Sequence, residues 1–528
     1  MKQLKLFTLA LLTISLPAYF WSCSSDEATP PAPQVTSDKP TLNLVPYQDD
    51  VATLTIVAPA TFESITAVAD NGVVTVSDIT GTGTKTATAK LNYTAPDITG
   101  NFKITVTITD KANQITTEDV NVAVTAKAPV TLGAGNITLA KLEKGTTYIA
   151  AGGLVIPEGS TLTIEEDVTV IFDGDGTATA PELTVKGKLY SYGTAQKPVK
   201  FTIPVAKRIK ANIFAGLWGG IQATDKATEV VLLYTHIEYA GAPAGPGNPS
   251  VDNGMYEDGA ARYGLLITNP EGKFVMQHSR IAYTSDDGMR VVGGTVLITN
   301  NIYELNGRTG GESVNIKSGV KGTVAYNFAY RSATNAYKWS NASGFAATPQ
   351  TDVDAYNNTA VECGWRQTKS GRGGSLNIEK AGRGQCYNNL SVNCRFGVRV
   401  VSDADIDNLT LGYSLYFGTE QVMVDEFYPT AGAIVKGDKE TNMDVVGLVG
   451  EKDPKFEAYT LTGFVSADVK DPAVLDFMPA SVDFHVKSDS PALAKGKTGL
   501  TLKPAIVIDG KTYSAPVASN FIGAFGTK

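Results

Sequence analysis

The residues best suited to chemistry lie between Cys363 and Val400. Seven basic side chains, Arg366, Lys369, Arg372, Lys380, Arg383, Arg395 and Arg399, stand there against one acid, Glu379, in a chain of net charge −8. Converging cations bind carboxylate or sulfate groups, and Arg offers a planar fork for two parallel hydrogen bonds. The competing explanation is a solvated face or contact with an acidic partner. Trp365 and Phe396 lie eight residues after Asn357 and Asn388, so a repeating fold should stack them. Exposed, such a stack is a platform for sugar rings; buried, it is core.

Acidic candidates are fewer. Asp286-Asp287, inside Ser285-Asp286-Asp287-Gly288, is the best carboxylate pair for general acid–base work. Asp-Gly is also ordinary turn chemistry, and that reading is preferred. Asp403, Asp405 and Asp407 alternate like the start of a calcium loop. The loop's Gly and closing Glu are replaced by Asn408 and Ser414, so calcium is a minor candidate and no other cofactor or metal is expected. His236, His278 and His485 are scattered, without metal-ligand spacing, and are expected to be structural, with His236 and His278 stacked. No nucleophile elbow, phosphate loop or dinucleotide fingerprint is present, so no catalytic residue is assigned.

The element that must position these residues is a repeat. Met289-Arg290-Val291, Val314-Asn315-Ile316, Tyr337-Lys338-Trp339, Leu376-Asn377-Ile378 and Val398-Arg399-Val400 are all apolar-polar-apolar. Stacked as parallel strands, they turn Met289, Val314, Tyr337, Leu376 and Val398 inward. Arg290, Asn315, Lys338, Asn377 and Arg399 then form one outward column. The gaps along that column are 25, 23, 39 and 22 residues, which places an insertion around 341–374. Tyr-Asn recurs at Tyr326, Tyr356 and Tyr387, and Leu162-Thr163-Ile164 recurs at Leu183. Units of twenty-odd residues with short β runs are the signature of a β-solenoid, and Asn at a repeated turn can bond the next coil. By the same spacing Tyr303 should pair with Tyr330. Cys363 and Cys394, 31 residues apart, should be buried neighbours, with a disulfide possible but not required. Gly241–Arg262 and Ser340–Gln350 are loop-like excursions expected to wall a cleft over the outward column.

Composition supports an all-β chain. Gly numbers 52 and Pro 25, while only 19% of residues are charged, which disfavours helical bundles. A hydrophobic fraction of 43% excludes global disorder, and the acidic balance disfavours nucleic-acid binding. Between 39 and 128 strict alternation, as in Phe102, Ile104, Val106 and Ile108, predicts an antiparallel β-sandwich. It resembles the Ig-like spacers of surface lipoproteins. Residues 23–38 are Pro- and Ser-rich and read as a tether. Residues 1–22 combine Lys2 and Lys5 with an apolar run from Leu6 to Leu16, as in an export signal. Ser22-Cys23 resembles a bacterial lipoprotein signal, which implies acylation of Cys23. The Asp26-Glu27 pair resembles the surface-export signal of Bacteroidetes lipoproteins.

A second resemblance covers about 131–528. Leu217-Trp218-Gly219-Gly220-Ile221 and Tyr234 to Gly241 resemble rungs of right-handed parallel β-helix proteins of the pectin-lyase-like fold, in their Bacteroidetes surface members. Asp453-Pro454-Lys455-Phe456, Ser490-Pro491-Ala492-Leu493 and Ile522 to Phe525 resemble that group's C-terminal segment. The fold class is therefore all-β: an N-terminal Ig-like β-sandwich followed by a right-handed parallel β-helix over 131–430, with a β-helix end or capping segment over 431–528. The resemblance implies an outer-membrane, surface-exposed, lipid-anchored protein. The leading expectation is non-catalytic binding of a glycan or nutrient beside a TonB-dependent uptake complex, with an anionic glycan as a candidate partner. Arg290, Asn315, Lys338, Trp365, Arg366, Arg372, Asn377 and Arg399 are the candidate ligand-binding residues. The alternatives are a polysaccharide lyase or glycoside hydrolase acting on an acidic glycan, and a structural adhesin.

Overall fold

The computed structural model of the chain describes residues 29–342, 344, 349–429 and 442–528. The export signal, Cys23 and the 430/431 boundary lie outside the described residues. Two compact units divide at Ala126 and Lys127.

The first unit is an antiparallel sandwich. One sheet holds Gln34–Ser37, Asp49–Val57, Thr86–Thr94 and Val73–Thr80; the other holds Thr41–Leu44, Ile115–Val124, Gly100–Asp110 and Phe62–Ala69. Thr41–Leu44 and Ile115–Val124 pair in parallel, the exception in an otherwise antiparallel unit. Alternation sets the core, because successive strand side chains face opposite ways. Ala87, Ala89, Leu91, Tyr93, Ile104, Val106 and Ile108 are all buried. The sandwich begins earlier than the expected tether boundary: Gln34–Ser37 pairs with Leu54–Val57, and Val35 is buried.

The second unit is a parallel β-helix. Each coil contributes one strand to each of three parallel sheets. Among the described residues, sheet S1 has ten strands, from Gly135–Asn136 to Val398–Val400. Sheet S2 has ten, from Lys141–Leu142 to Leu409–Gly412, and sheet S3 has twelve, from Val130–Leu132 to Val445–Val446. In S1 the observed register is Met289, Val314, Tyr337, Leu376 and Val398 inward, and Arg290, Asn315, Lys338, Asn377 and Arg399 in the neighbouring column, as the apolar-polar-apolar triplets predict. The inward set is at most 6% exposed. The 39-residue gap is not a simple insertion. It holds the ordinary S2 and S3 strands of one coil, Asp352–Tyr356 and Thr359–Val361, lengthened by the turns on either side.

Left-handed corners join S2 to S3. Tyr234, His278, Asn300, Tyr326, Asn357, Asn388 and Tyr413 share φ values between 46° and 59°. One residue in this region bends the chain from one sheet into the next, at little cost for Asn and at more for the Tyr that stands at the same corner on other coils. The Tyr-Asn repeat is therefore offset by one: Tyr326 stacks with Asn357 and Asn388, not with Tyr356. The next residue points into the corner and forms a ladder of Thr235, Ser279, Asn301, Asn327, Asn358, Asn389 and Ser414. Asn327 accepts from the backbone N–H of Asn301 at 3.1 Å and from its amide at 3.0 Å. Asn358 does the same for Asn327, and Asn389 for Asn358. Each rung thus satisfies buried backbone that the turn would otherwise orphan.

Other sequence pairings fall in different columns. Leu162 stacks on Leu189 in S2, while Leu183 stacks on Leu154 in S1, so the 21-residue match joins different sheets. Tyr303 sits opposite Ala329, which turns Tyr303 into the core and Tyr330 outward. The C-terminal region is more than an end cap. Val445–Val446 forms the last S3 strand, but later residues run back along the outside. Phe456, Phe484 and Ile522 cover Phe328, Tyr330 and Leu390 of S3, and Ile506, Ile508 and Tyr513 cover Val231, Val275 and Leu297 of S2. This strap explains why outward S2 and S3 positions are apolar.

Removing one ladder rung tests the corner. Asn358→Ala leaves the N–H of Asn327 unpaired, at a cost of about 1–3 kcal/mol. Trp218, Trp339 and Trp365 lie in this unit, so tryptophan fluorescence during urea unfolding should show an earlier transition; an unchanged midpoint would show that the rung is dispensable.

Candidate functional site

S1 presents Arg290, Asn315, Lys338, Asn377 and Arg399 as one outward column. Gly241–Arg262 walls the N-terminal end. Arg262 and Glu182 form a fully buried ion pair at 2.8 Å, Ser250 also donates to Glu182, and Tyr256 donates to Gln222 at 2.8 Å. These bonds fix the loop over Leu266, the column position before Arg290.

Asp287 begins the charged floor. It is 1% exposed and accepts from Arg290 at 2.8 and 2.6 Å, from the backbone of Glu312 at 2.8 Å and from Asn315 at 2.8 Å. The Arg290 guanidinium lies 4.0 Å over the Tyr263 ring. Burial alone would raise the Asp287 carboxyl; the Arg290 charge and the donated bonds hold it below its ordinary value. Asp286, half-buried beside it, is pushed up to about 6 by burial and the Asp287 charge. The expectation of plain turn chemistry is corrected for Asp287, which is a buried, ionised anchor of the basic column.

Glu312 was not a candidate from sequence, since it precedes its strand and belongs to no motif. Burial and the Asp287 charge push its carboxyl up to about 8, against the pull of Lys338 and Arg290. Lys338 lies 3.7 Å from Glu312 and 2.9 Å from Glu379. Burial would raise Glu379, but Lys338 holds it below its ordinary value. Lys317 is pushed down by burial and by the charges of Lys338 and Arg290. Asn315 is buried, and its Oδ1 has no hydrogen-bond partner. Asn377 donates to Glu379 at 3.2 Å and accepts from Arg399 at 2.7 Å. Carboxylates and cations therefore converge on one floor, and most of the charge is matched internally.

The match ends beyond Asn377. A hollow of about 590 Å³ opens there, lined among others by Trp365, Gln367, Arg395, Phe396, Arg399 and Lys470, with Glu426 as its acid. Arg395 donates to the Gln367 carbonyl at 2.7 Å. Arg399 spends one nitrogen on Asn377, and its buried Nε has no partner. Among the described residues, Arg395, Arg399 and Lys470 make no ion pair. Burial pushes Arg399 below its ordinary value; Glu379 opposes this and the neighbouring charge of Arg372 adds to it. Arg372 itself is exposed. Lys470 comes from the strap, which sequence periodicity could not place, and its ammonium sits 5.7 Å over the Trp365 ring.

The other expectations sort by burial. Arg366 is 3% exposed and donates to the carbonyls of Gly307, Arg308 and Arg331 at 2.7, 3.0 and 2.8 Å, so it clamps three turns rather than binding a ligand. Trp365 is 7% exposed and donates to Asn393 at 2.8 Å; it closes the back of the hollow and is not a sugar platform stacked on Phe396. Arg383 leaves the basic group for another face, where it lies 3.6 Å from Asp352. Asp403 accepts from the backbone of Lys380, while Asp405 accepts from Asn408 and Gln350, so the alternating acids do not share one site. His278 stacks on Tyr234, and His236 registers with Arg280, so the two histidines occupy different columns. Cys363 and Cys394 are buried free thiols on adjacent coils. Part of Ser340–Gln350 lies outside the described residues. Compared with known proteins, the chain matches no family model, and no curated protein matches it.

Glu312 gives a pH test. Its folded value is above its unfolded value, so its contribution is complete below the ordinary carboxyl range and is lost as pH rises through about 8. Between about pH 5 and pH 9 the wild-type unfolding midpoint should fall relative to that of Glu312→Gln. Parallel profiles would show that Glu312 carries no such proton.

Proposed function

We propose that the chain is a surface-anchored lipoprotein whose β-helix binds an anionic glycan. The observation that carries this reading is the hollow at the end of the S1 column. Arg395, Arg399 and Lys470 meet there without an ion pair among the described residues, with Glu426 as the one acid of the lining. A ligand carboxylate would supply negative charge to the guanidinium groups of Arg395 and Arg399. Anchoring rests on the Ser22-Cys23 pattern and on Asp26-Glu27. A glycan-binding lipoprotein of this kind would sit on the outer membrane beside a TonB-dependent transporter as an accessory subunit.

Affinity for uronate-containing oligosaccharides, followed by calorimetry at low salt, tests the reading. Arg395→Ala and Arg399→Ala should each weaken binding about tenfold, while neutral glycans bind weakly to all forms. Equal retention of neutral and acidic glycans, or no effect of either variant, would contradict it.

The floor favours a second reading. Glu312 keeps a proton near neutral pH, while Asp286 is largely ionised, which is the division of labour of a glycoside hydrolase. New reducing ends from an acidic glycan, abolished in both Glu312→Gln and Asp286→Asn, would establish it. Binding without new ends would leave the non-catalytic reading.

A further inference from the structure

We propose a second anion site, on S2 and distinct from the S1 hollow, that takes a tetrahedral oxyanion such as a sulfate or phosphate monoester. The C-terminal strap crosses the outward face of S2 and leaves a hollow of about 590 Å³ beneath residues 503–507. Lys273, Thr295, Lys321 and Asp352 follow one another in a single column on consecutive coils. Lys503 and Arg383 complete the lining.

Two staples hold the hollow open. Lys273 donates to the Val507 carbonyl at 2.8 Å, and Lys503 meets Asp352 at 2.6 Å. The acids are consumed by their neighbours. Asp352 serves both Lys503 and Arg383, Asp354 lies 3.6 Å from Lys503, and Asp405 lies 3.7 Å from Arg383. Lys321 makes no ion pair and the Thr295 hydroxyl no hydrogen bond among the described residues. Lys273 and Lys321 stand two strands apart, about 10 Å along the stacking direction, with Thr295 between them. Lysine side chains are long enough at that spacing for both ammonium groups to reach an anion over the central residue, Lys273 from its place on the Val507 carbonyl. An anion above Thr295 therefore meets two ammonium groups and a hydroxyl.

The residue types choose the anion. Ammonium groups are point charges that suit tetrahedral oxygens, whereas the S1 hollow offers guanidinium forks that suit a planar carboxylate. The strap adds an apolar wall, with Pro504 and the half-exposed Val507 beside the cations. That wall fits the organic body of an ester better than a bare ion.

Calorimetry with three probes tests the site: inorganic sulfate, a sulfated oligosaccharide without carboxylates, and an unsulfated oligouronate. Lys321 is exposed, so Lys321→Ala should fold normally, and an unchanged thermal midpoint verifies this. The sulfated sugar should bind wild-type protein and Arg399→Ala alike, and bind Lys321→Ala about tenfold more weakly. Oligouronate should be insensitive to Lys321→Ala. Sulfate binding lost in Lys321→Ala would also support the site and assign it to the free ion when the two affinities are equal. Indifference of both sulfated probes to Lys321→Ala would overturn the proposal, as would loss of the sulfated sugar in Arg399→Ala alone. Because S1 and S2 variants are read separately, failure here leaves the uronate reading standing.

Discussion

Stacking of parallel coils about 4.8 Å apart is the constraint on which the rest depends. It brings every outward side chain close to its counterparts on the coils above and below. Like charges cannot follow one another in such a column without repulsion or a counter-ion. The S1 floor obeys this: Arg290, Asn315, Lys338, Asn377 and Arg399 alternate cation with amide. Carboxylates beside the column, Asp287, Glu312 and Glu379, complete the neutralisation. The S2 column repeats the device with Lys273, Thr295 and Lys321. At Arg395, Arg399 and Lys470 the ion pairs stop, and Glu426 alone faces three cations; the proposed ligand would supply the remaining negative charge.

The coils keep that register because their corners are fixed. A left-handed residue turns the chain, and an Asn, Ser or Thr behind it bonds the previous coil. Slippage by one residue would bury Arg290 and Lys338 and expose Met289 and Tyr337. The strap adds a second lock. It accepts hydrogen bonds from the corner amides of Asn357 and Asn388, which it buries, and supplies Lys470 to the S1 hollow.

The S1 floor was legible in the sequence because inward and outward residues alternate with period two, and five triplets sufficed to set their register. The corners were half legible. Tyr and Asn both occupy the left-handed position, so matching letters gave an offset of one at Tyr326. Glu312 was invisible because it lies in a turn of variable length, where no periodicity points. Lys470 was invisible because the strap returns from far along the chain. Arg366 and Trp365 were misassigned for one reason: charge and aromaticity in a basic segment do not reveal burial, and both side chains face inward to backbone carbonyls.

On the proposed reading, the cations at the end of S1 receive an acidic sugar. A crystal structure of the protein soaked with a short oligouronate tests this most directly. A uronate carboxylate should lie against Arg395 and Arg399, with the sugar chain running toward Lys338. An oligouronate bound at saturating concentration anywhere else, with the Arg395–Arg399 hollow holding only solvent, would contradict it.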